Sequence, residues 1–270
     1  MPIETINGFR MYYEVHGRGE PFLWVHGGLG GGEGCKPFSE HHARAFSDGF
    51  RLIFFDRRTA GRSESPADGY SMAVFAQDVH ALLQRLGVRQ AHVLGSSAGG
   101  PIALTFALEH PEMVSRLYLV NTMTYASAPE REARQQELSR VLEVERALGR
   151  EAAAESAVLY RQPDLKTQDP ERFQELYRIR LERFEGINRT MEAYLSIGDS
   201  LQERLAELKM PVFIAHGDAD TTIPVSCSLE LHQGIPDSEL IIIPGAGHGL
   251  LTTLPEVMQG VIFAYLERVS

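Results

Sequence analysis

Short continuous apolar runs recur along the first half of the chain and again near its end. They fall at 21–25 (PFLWV), 51–55 (RLIFF), 91–94 (AHVL), 116–120 (RLYLV), 211–215 (PVFIA) and 240–243 (LIII). Each is bounded by Gly, Pro or Asp, and none alternates strictly. Such runs predict strands buried on both faces of a parallel sheet. An earlier stretch, 9–15 (FRMYYEV), mixes alternation with β-forming residues and predicts a half-exposed strand. The segments near 2–15 are expected to pair antiparallel at one edge. Between the runs lie helical patterns at 71–86, 98–109 and 255–268. Ser71 suits an N-cap and Pro255 a first helical turn. Strands alternating with helices predict an α/β fold, a doubly wound, mostly parallel sheet flanked by helices.

The pattern changes between about 125 and 208. No buried-strand run occurs there; Glu/Arg-rich amphipathic stretches at 129–148, 150–162, 170–185 and 187–197 take its place. Leu138, Val141, Leu142 and Val144 recur at helical spacing. The simplest organisation is a core of residues 1–123 and 208–270 with an all-helical insertion at 124–207. No internal repeat or low-complexity tract interrupts this plan.

Charge narrows the partners. The formal net charge of −10 and the absence of a basic stripe argue against nucleic acid. The Lys and Arg residues after 130 interleave with Glu at helical spacing, as on a solvated face. Cys35 and Cys227 are the only cysteines, with no zinc-type spacing, and read as small core or loop residues. The N-terminal MPIETINGFRMYYEV lacks the apolar core of a signal peptide, and no run approaches the roughly 18 apolar residues of a membrane span. The expected location is the cytoplasm, with no membrane partner.

The chemistry centres on Gly95-Ser96-Ser97-Ala98-Gly99, a G-x-S-x-G pattern. By chance alone this pattern occurs in roughly one such chain in ten, as a capped glycine turn. Here it follows the strand AHVL and opens a helix, the context in which a sharp turn exposes the central hydroxyl. Ser97 is therefore the candidate nucleophile. A serine hydroxyl needs an adjacent base. Of ten histidines, His248 stands in a glycine-rich loop after the run 240–243 and late in the chain. His216 follows a strand too but comes too early in the chain order. The third group should be a carboxylate between Ser97 and His248. Asp218 and Asp220, after the run 211–215, both qualify, and either serves equally as a turn former. Asp220 is favoured because it lies just before Ile223-Pro224.

Anion stabilisation is expected from backbone N–H groups. His26-Gly27-Gly28-Leu29 follows the strand 21–25. The Gly28 amide, with that of Ala98 at a helix N-terminus, would form an oxyanion hole; Leu29 is a second loop donor. No Gly-Lys-Ser/Thr follows the glycine run, so a phosphate loop is not indicated.

With these residues in place, the chain resembles the α/β-hydrolase superfamily, in its serine esterase and lactonase branch. Four landmarks occur in order: HGG at 26–28, D-x-R-x-x-G-x-S at 56–63, GSSAG at 95–99 and GDAD…GAGH at 217–248. Ser at 97 departs from the Asp nucleophile of dehalogenases and epoxide hydrolases. Ala at 98 departs from the Trp usual in proline iminopeptidases. Some lactonases of this fold place their acid after the strand preceding the cap; here Val120-Asn121-Thr122 offers none, which supports Asp220. The insertion at 124–207 resembles the superfamily's helical cap.

The resemblance implies hydrolysis of a small ester or lactone through an acyl-enzyme, with no metal and no organic cofactor. Simple esters and N-acyl homoserine lactones are the expected substrate classes. By position, Leu29, Met123, Ile223 and Leu250 are candidates for an apolar acyl pocket. Tyr160 and Tyr194 are candidate donors to a leaving group, although packing is the simpler role for both. Alternatives on the same fold are carbon–carbon bond hydrolysis, for which Arg57 or Arg58 would supply the basic residue, perhydrolysis and amide cleavage. A slow-turnover ligand receptor is the competing class.

Overall fold

A computed structural model of the chain describes residues 3–28, 32–124, 128–197 and 200–268. Eight strands form one sheet: β1 (Ile3–Ile6), β2 (Phe9–His16), β3 (Glu20–Val25), β4 (Phe50–Phe55), β5 (Ala91–Ser96), β6 (Val114–Val120), β7 (Val212–Gly217) and β8 (Ser238–Ile243). Their spatial order is β1-β2-β4-β3-β5-β6-β7-β8. The pairs β1/β2 and β2/β4 are antiparallel and all others parallel.

The continuous apolar runs follow from covering on both faces. Side chains alternate across a strand, so Leu23 and Val25 enter one core while Phe22 and Trp24 enter the other. The first core packs under α2 (Met72–Arg85), α3 (Gly99–Glu109) and α10 (Ser226–Gly234). The second packs under α1 (Lys36–Phe46) and α12 (Pro255–Arg268), where Phe46, Met258, Ile262 and Tyr265 meet Trp24, Tyr118 and Phe213. Ser71 caps α2 by accepting from the Val74 N–H. Cys35 and Cys227 are both buried and form no disulfide.

Between β6 and β7 the described residues are helical: α4 (Ala128–Leu148), α5 (Arg150–Arg161), α6 (Leu165–Gln168), α7 (Pro170–Glu182), α8 (Phe184–Leu195) and α9 (Ser200–Glu203), then a single turn at Leu205–Glu207. A short α11 (Leu250–Thr253) precedes α12. The pattern placed the α7/α8 break at 185–187, but it falls at Arg183. Helix α10 has no clear apolar period, and α1 has a buried face carrying Ser39 and His42 beside Phe46, which hid them. The last strand is only half-buried, because β8 closes the sheet at its edge. Among the described residues, no helix is long and apolar enough to cross a membrane.

Candidate active site

Ser97 occupies the two-residue turn between β5 and α3. Its φ is +51°, a left-handed conformation rare for a residue with a side chain. Such a position costs on the order of 1–3 kcal/mol and persists only where the surroundings enforce it. Here they do. The Ser97 N–H donates to Val120 O at 3.0 Å, and its carbonyl accepts from the Thr122 hydroxyl at 2.6 Å and the Gly100 N–H at 3.0 Å. Gly99 makes the turn sterically feasible, since a Cβ there would lie 2.1 Å from Val25 O.

The turn aims the Ser97 hydroxyl at an imidazole 151 residues away in sequence. His248 Nε2 lies 3.0 Å from Ser97 Oγ, and His248 Nδ1 lies 2.7 Å from Asp220 Oδ2. An ionised carboxylate only accepts, so Nδ1–H donates to Asp220. That leaves Nε2 free to accept from the serine hydroxyl.

Asp220 is buried, and its carboxylate is heavily solicited. Oδ1 accepts from the N–H groups of Thr222 (2.8 Å) and Ile223 (2.9 Å). Oδ2 accepts from Asn121 Nδ2 (2.8 Å), from His248, and from His216 Nε2 at 3.3 Å. Burial alone would raise its pKa. The bonds from His216, His248 and the Ile223 N–H outweigh that and hold the carboxyl far below the usual carboxylate range. Asp218 goes elsewhere: it is exposed, and its carboxylate accepts from the Gly245 N–H at 2.6 Å. Asn121, another positive-φ residue (+45°), ends β6 and reaches Asp220 across 99 positions.

On the other side of Ser97 lies the loop after β3. Here Arg57 N–H donates to His26 Nε2 at 3.1 Å, so His26 Nδ1–H donates to Gly27 O at 2.7 Å. Burial and the neighbouring Arg57 charge push the His26 pKa down to about 3, which keeps the ring neutral. The loop and Ser97 border a cleft of about 210 Å³, lined by Gly27, Gly28, Phe38, Ser97, His248 and Leu251, among others.

The residues expected to line an acyl pocket fare differently. Leu29 lies outside the described residues. Met123, Ile223 and Leu250 are buried in the two sheet cores and do not line this cleft. Proximity in sequence identified the right loops, but packing turned these side chains inward. Tyr194 is buried, and its hydroxyl donates to Ala98 O while accepting from Arg57 Nη1 at 2.9 Å. Tyr160 is exposed on α5 beneath the Arg140 guanidinium, remote from the cleft lining. Neither tyrosine is among the cleft-lining residues: the Tyr194 hydroxyl bonds Arg57 and Ala98, and Tyr160 is exposed. Phe38 and Leu251 line the cleft although no periodic signal marked them. Arg58 is tied to Asp78 in a buried pair at 2.6 Å, so it is not a free pocket cation.

Comparison with known proteins is consistent with this geometry. The chain is 28% identical to "Putative carbamate hydrolase RutD" of a Caulobacter species, across 97% of each chain. A thermophilic esterase from Thermogutta terrifontis is 25% identical, with a TM-score of 0.77 over 97% of this chain and 94% of that one. An enol-lactonase from Burkholderia xenovorans shares the fold at 22% identity and a TM-score of 0.77, covering 98% and 100% of the two chains. The α/β-hydrolase fold family matches residues 20–253, which span strands β3 to β8, and the chain belongs to that family.

Proposed function

We propose that this protein is a serine hydrolase cleaving carboxylic ester or lactone bonds of small acylated substrates through an acyl-enzyme. The observation that carries the reading is the unbroken hydrogen-bonded chain from Ser97 through His248 to Asp220 at the cleft. In this mechanism Ser97 Oγ attacks the carbonyl carbon as His248 Nε2 takes its proton. Asp220 stays ionised, keeps the imidazole in the productive tautomer and stabilises the imidazolium. The tetrahedral oxyanion is held by the N–H groups of Gly28 and Ala98. As the intermediate collapses, His248 returns the proton to the departing alcohol. Water then attacks the acyl-enzyme with His248 as base, and the acid is released.

The esterase from Thermogutta terrifontis supports the ester reading. The modest cleft suits short acyl groups, so simple esters are placed ahead of long-chain N-acyl homoserine lactones. Residues 124–207 are assigned as a cap on the core formed by 1–123 and 208–270, with α8 as its inner wall. A second reading, carbamate hydrolysis, is favoured by the RutD-named relatives that span this chain end to end. The same serine would attack the carbamoyl carbon. Deacylation would then be slower, because the nitrogen lone pair delocalises into the carbonyl.

The test is turnover of p-nitrophenyl esters from acetate to octanoate, acylated lactones and aryl carbamates by wild type and Ser97→Ala. We expect short-chain esters to turn over fastest and Ser97→Ala to lose at least about 10⁴-fold in kcat. Carbamate turnover exceeding that of every ester would establish the second reading. Activity retained in Ser97→Ala would overturn both.

A further inference from the structure

We infer that Arg57 is a positioning residue for the oxyanion hole, and that it acts from behind the loop with Tyr194 of α8 as its link to the nucleophile turn. This rests on the serine-hydrolase reading above.

Arg57 is 6% exposed, and among the described residues no carboxylate lies within ion-pair reach of it. The adjacent Asp56 is occupied by Arg62 and by the N–H groups of Cys35 and Arg62. A buried, uncompensated guanidinium is costly unless backbone or hydroxyl dipoles replace water. Its Nη2 donates to Gly27 O at 2.9 Å and also to Gly28 O, and its Nη1 donates to the Tyr194 hydroxyl. Its Nε has no partner. This is poor satisfaction for a residue with a purely packing role, and all its bonds point at one place.

The geometry of the trans peptide explains what those bonds accomplish. The carbonyl of one residue and the N–H of the next lie on opposite edges of one plane, and no peptide among the described residues is cis. Fastening Gly27 O to Arg57 and to His26 Nδ1 therefore fixes the Gly28 N–H on the opposite edge, away from the buried cation. The second donor follows the same logic: Ser97 O is fastened by the Thr122 hydroxyl, which orients the Ala98 N–H. Tyr194 joins the two halves, because its hydroxyl accepts from Arg57 and donates to Ala98 O. The guanidinium thus sets the loop donor, braces the turn that carries the other, and puts a positive charge behind the site where negative charge develops. That charge acts through protein rather than water, so it favours the tetrahedral state over the neutral substrate.

The experiment compares wild type, Arg57→Met, Arg57→Lys, Tyr194→Phe and Ser97→Ala on p-nitrophenyl acetate. Active sites are counted by the burst amplitude, so a partly misfolded variant does not pass for a slow one. In parallel, affinity is measured for an alkyl trifluoromethyl ketone, which forms a tetrahedral adduct with the serine. Arg57→Met is expected to lose about 10- to 100-fold in kcat per active site, with KM within about threefold. Its trifluoromethyl ketone affinity should fall by the same factor. Arg57→Lys should recover part of both, and Tyr194→Phe should lose several-fold. An unchanged kcat per site in Arg57→Met, or a loss confined to KM or to the burst amplitude, would overturn the inference. Full activity in Ser97→Ala would instead remove the reading beneath it.

Discussion

The carboxyl edge of the sheet and the helical segment between β6 and β7 are built by different rules. At the sheet edge, Trp24, Phe22, Tyr118 and Phe46 fill one core, and the polar groups around Ser97 and Asp220 are buried with named partners. Among the described residues, the separate core of the helical segment is built on the buried Val141, Ala153, Ala154, Ala157 and Phe184. Most of its ion pairs are exposed: Lys166–Glu155, Arg172–Glu175 and Arg150–Glu185 all have solvent on both partners, whereas Arg134–Glu137 buries its glutamate. Exposed pairs contribute about 0–1 kcal/mol each. Helix α8 behaves most like the sheet region, joined by Leu138 of α4 and Leu201 of α9, which enter the same core. It buries Ile187, Asn188, Thr190, Met191 and Tyr194, and Gly186 brings its backbone against Thr59 and Ser65. The candidate catalytic groups Ser97, His248 and Asp220 are held at the sheet, while the helical segment reaches their surroundings mainly through α8 and a few polar contacts.

The comparison can be broken most severely at the sheet edge. Asp220→Asn is expected to lower kcat by about 10³- to 10⁴-fold, because the amide can no longer enforce the His248 tautomer. Asp218→Asn should stay within about twofold, since that side chain bonds only the Gly245 N–H. Equal losses in the two, read from steady-state ester hydrolysis, would contradict the geometry.

A smaller effect is expected where the helical segment touches the sheet. At Gly186 a Cβ would lie 2.2 Å from Ser65 Oγ and 2.6 Å from Thr59 Oγ1. Gly186→Val should push α8 outward, strain the Tyr194–Ala98 bond and reduce kcat by about tenfold. Its thermal midpoint should fall less than that of a sheet-core truncation such as Trp24→Ala. A full unfolding defect in Gly186→Val would show the two regions to be less separable.

Acid sensitivity sharpens the contrast further. No histidine occurs between 111 and 215, whereas the sheet region buries several. Burial pushes the His42 pKa down to about 4, and its ring sits against Trp24 while Nε2 meets Leu251 O at 2.6 Å. The folded pKa lies below the unfolded one, so the unfolded chain binds more protons between about 6.5 and 4. Stability from this group is therefore complete above pH 6.5 and is lost as pH falls towards 4, by on the order of 3 kcal/mol. The unfolding midpoint of wild type should drop across that window, and the drop should be shallower in His42→Gln. Identical pH slopes would assign the acid sensitivity elsewhere. The smallest effect belongs to Tyr160→Ala. On the exposed face of α5 it should change neither ester turnover nor stability by more than about 0.5 kcal/mol.

The apolar runs were enough to place six of the strands, because a strand covered on both faces must be apolar on both, and the alternation at 9–15 placed a seventh. It also located the nucleophile turn and the two late loops, since these follow strand ends. Helix α1 escaped because it buries a histidine and a serine in place of a regular apolar stripe. The break between α7 and α8 was misplaced by a few residues because both sides read as amphipathic helix.

What the sequence determined by itself was the order of the strands, the helical character of the segment between β6 and β7, and the short list of groups able to react. Tertiary structure decided which of those groups meet. Two aspartates two residues apart diverge, Asp220 to His248 and Asp218 to the Gly245 N–H. Arg57, adjacent to an arginine held by Asp78, instead faces the loop carbonyls and Tyr194. Leu250 and Leu251 both enter the same core, yet of the two Leu251 alone also borders the cleft. The physical reason is range. Periodicity reports the environment of a face, which neighbours in sequence share. The direction of a loop side chain is set by partners as far as 151 positions away, and only the assembled sheet brings those within bonding distance.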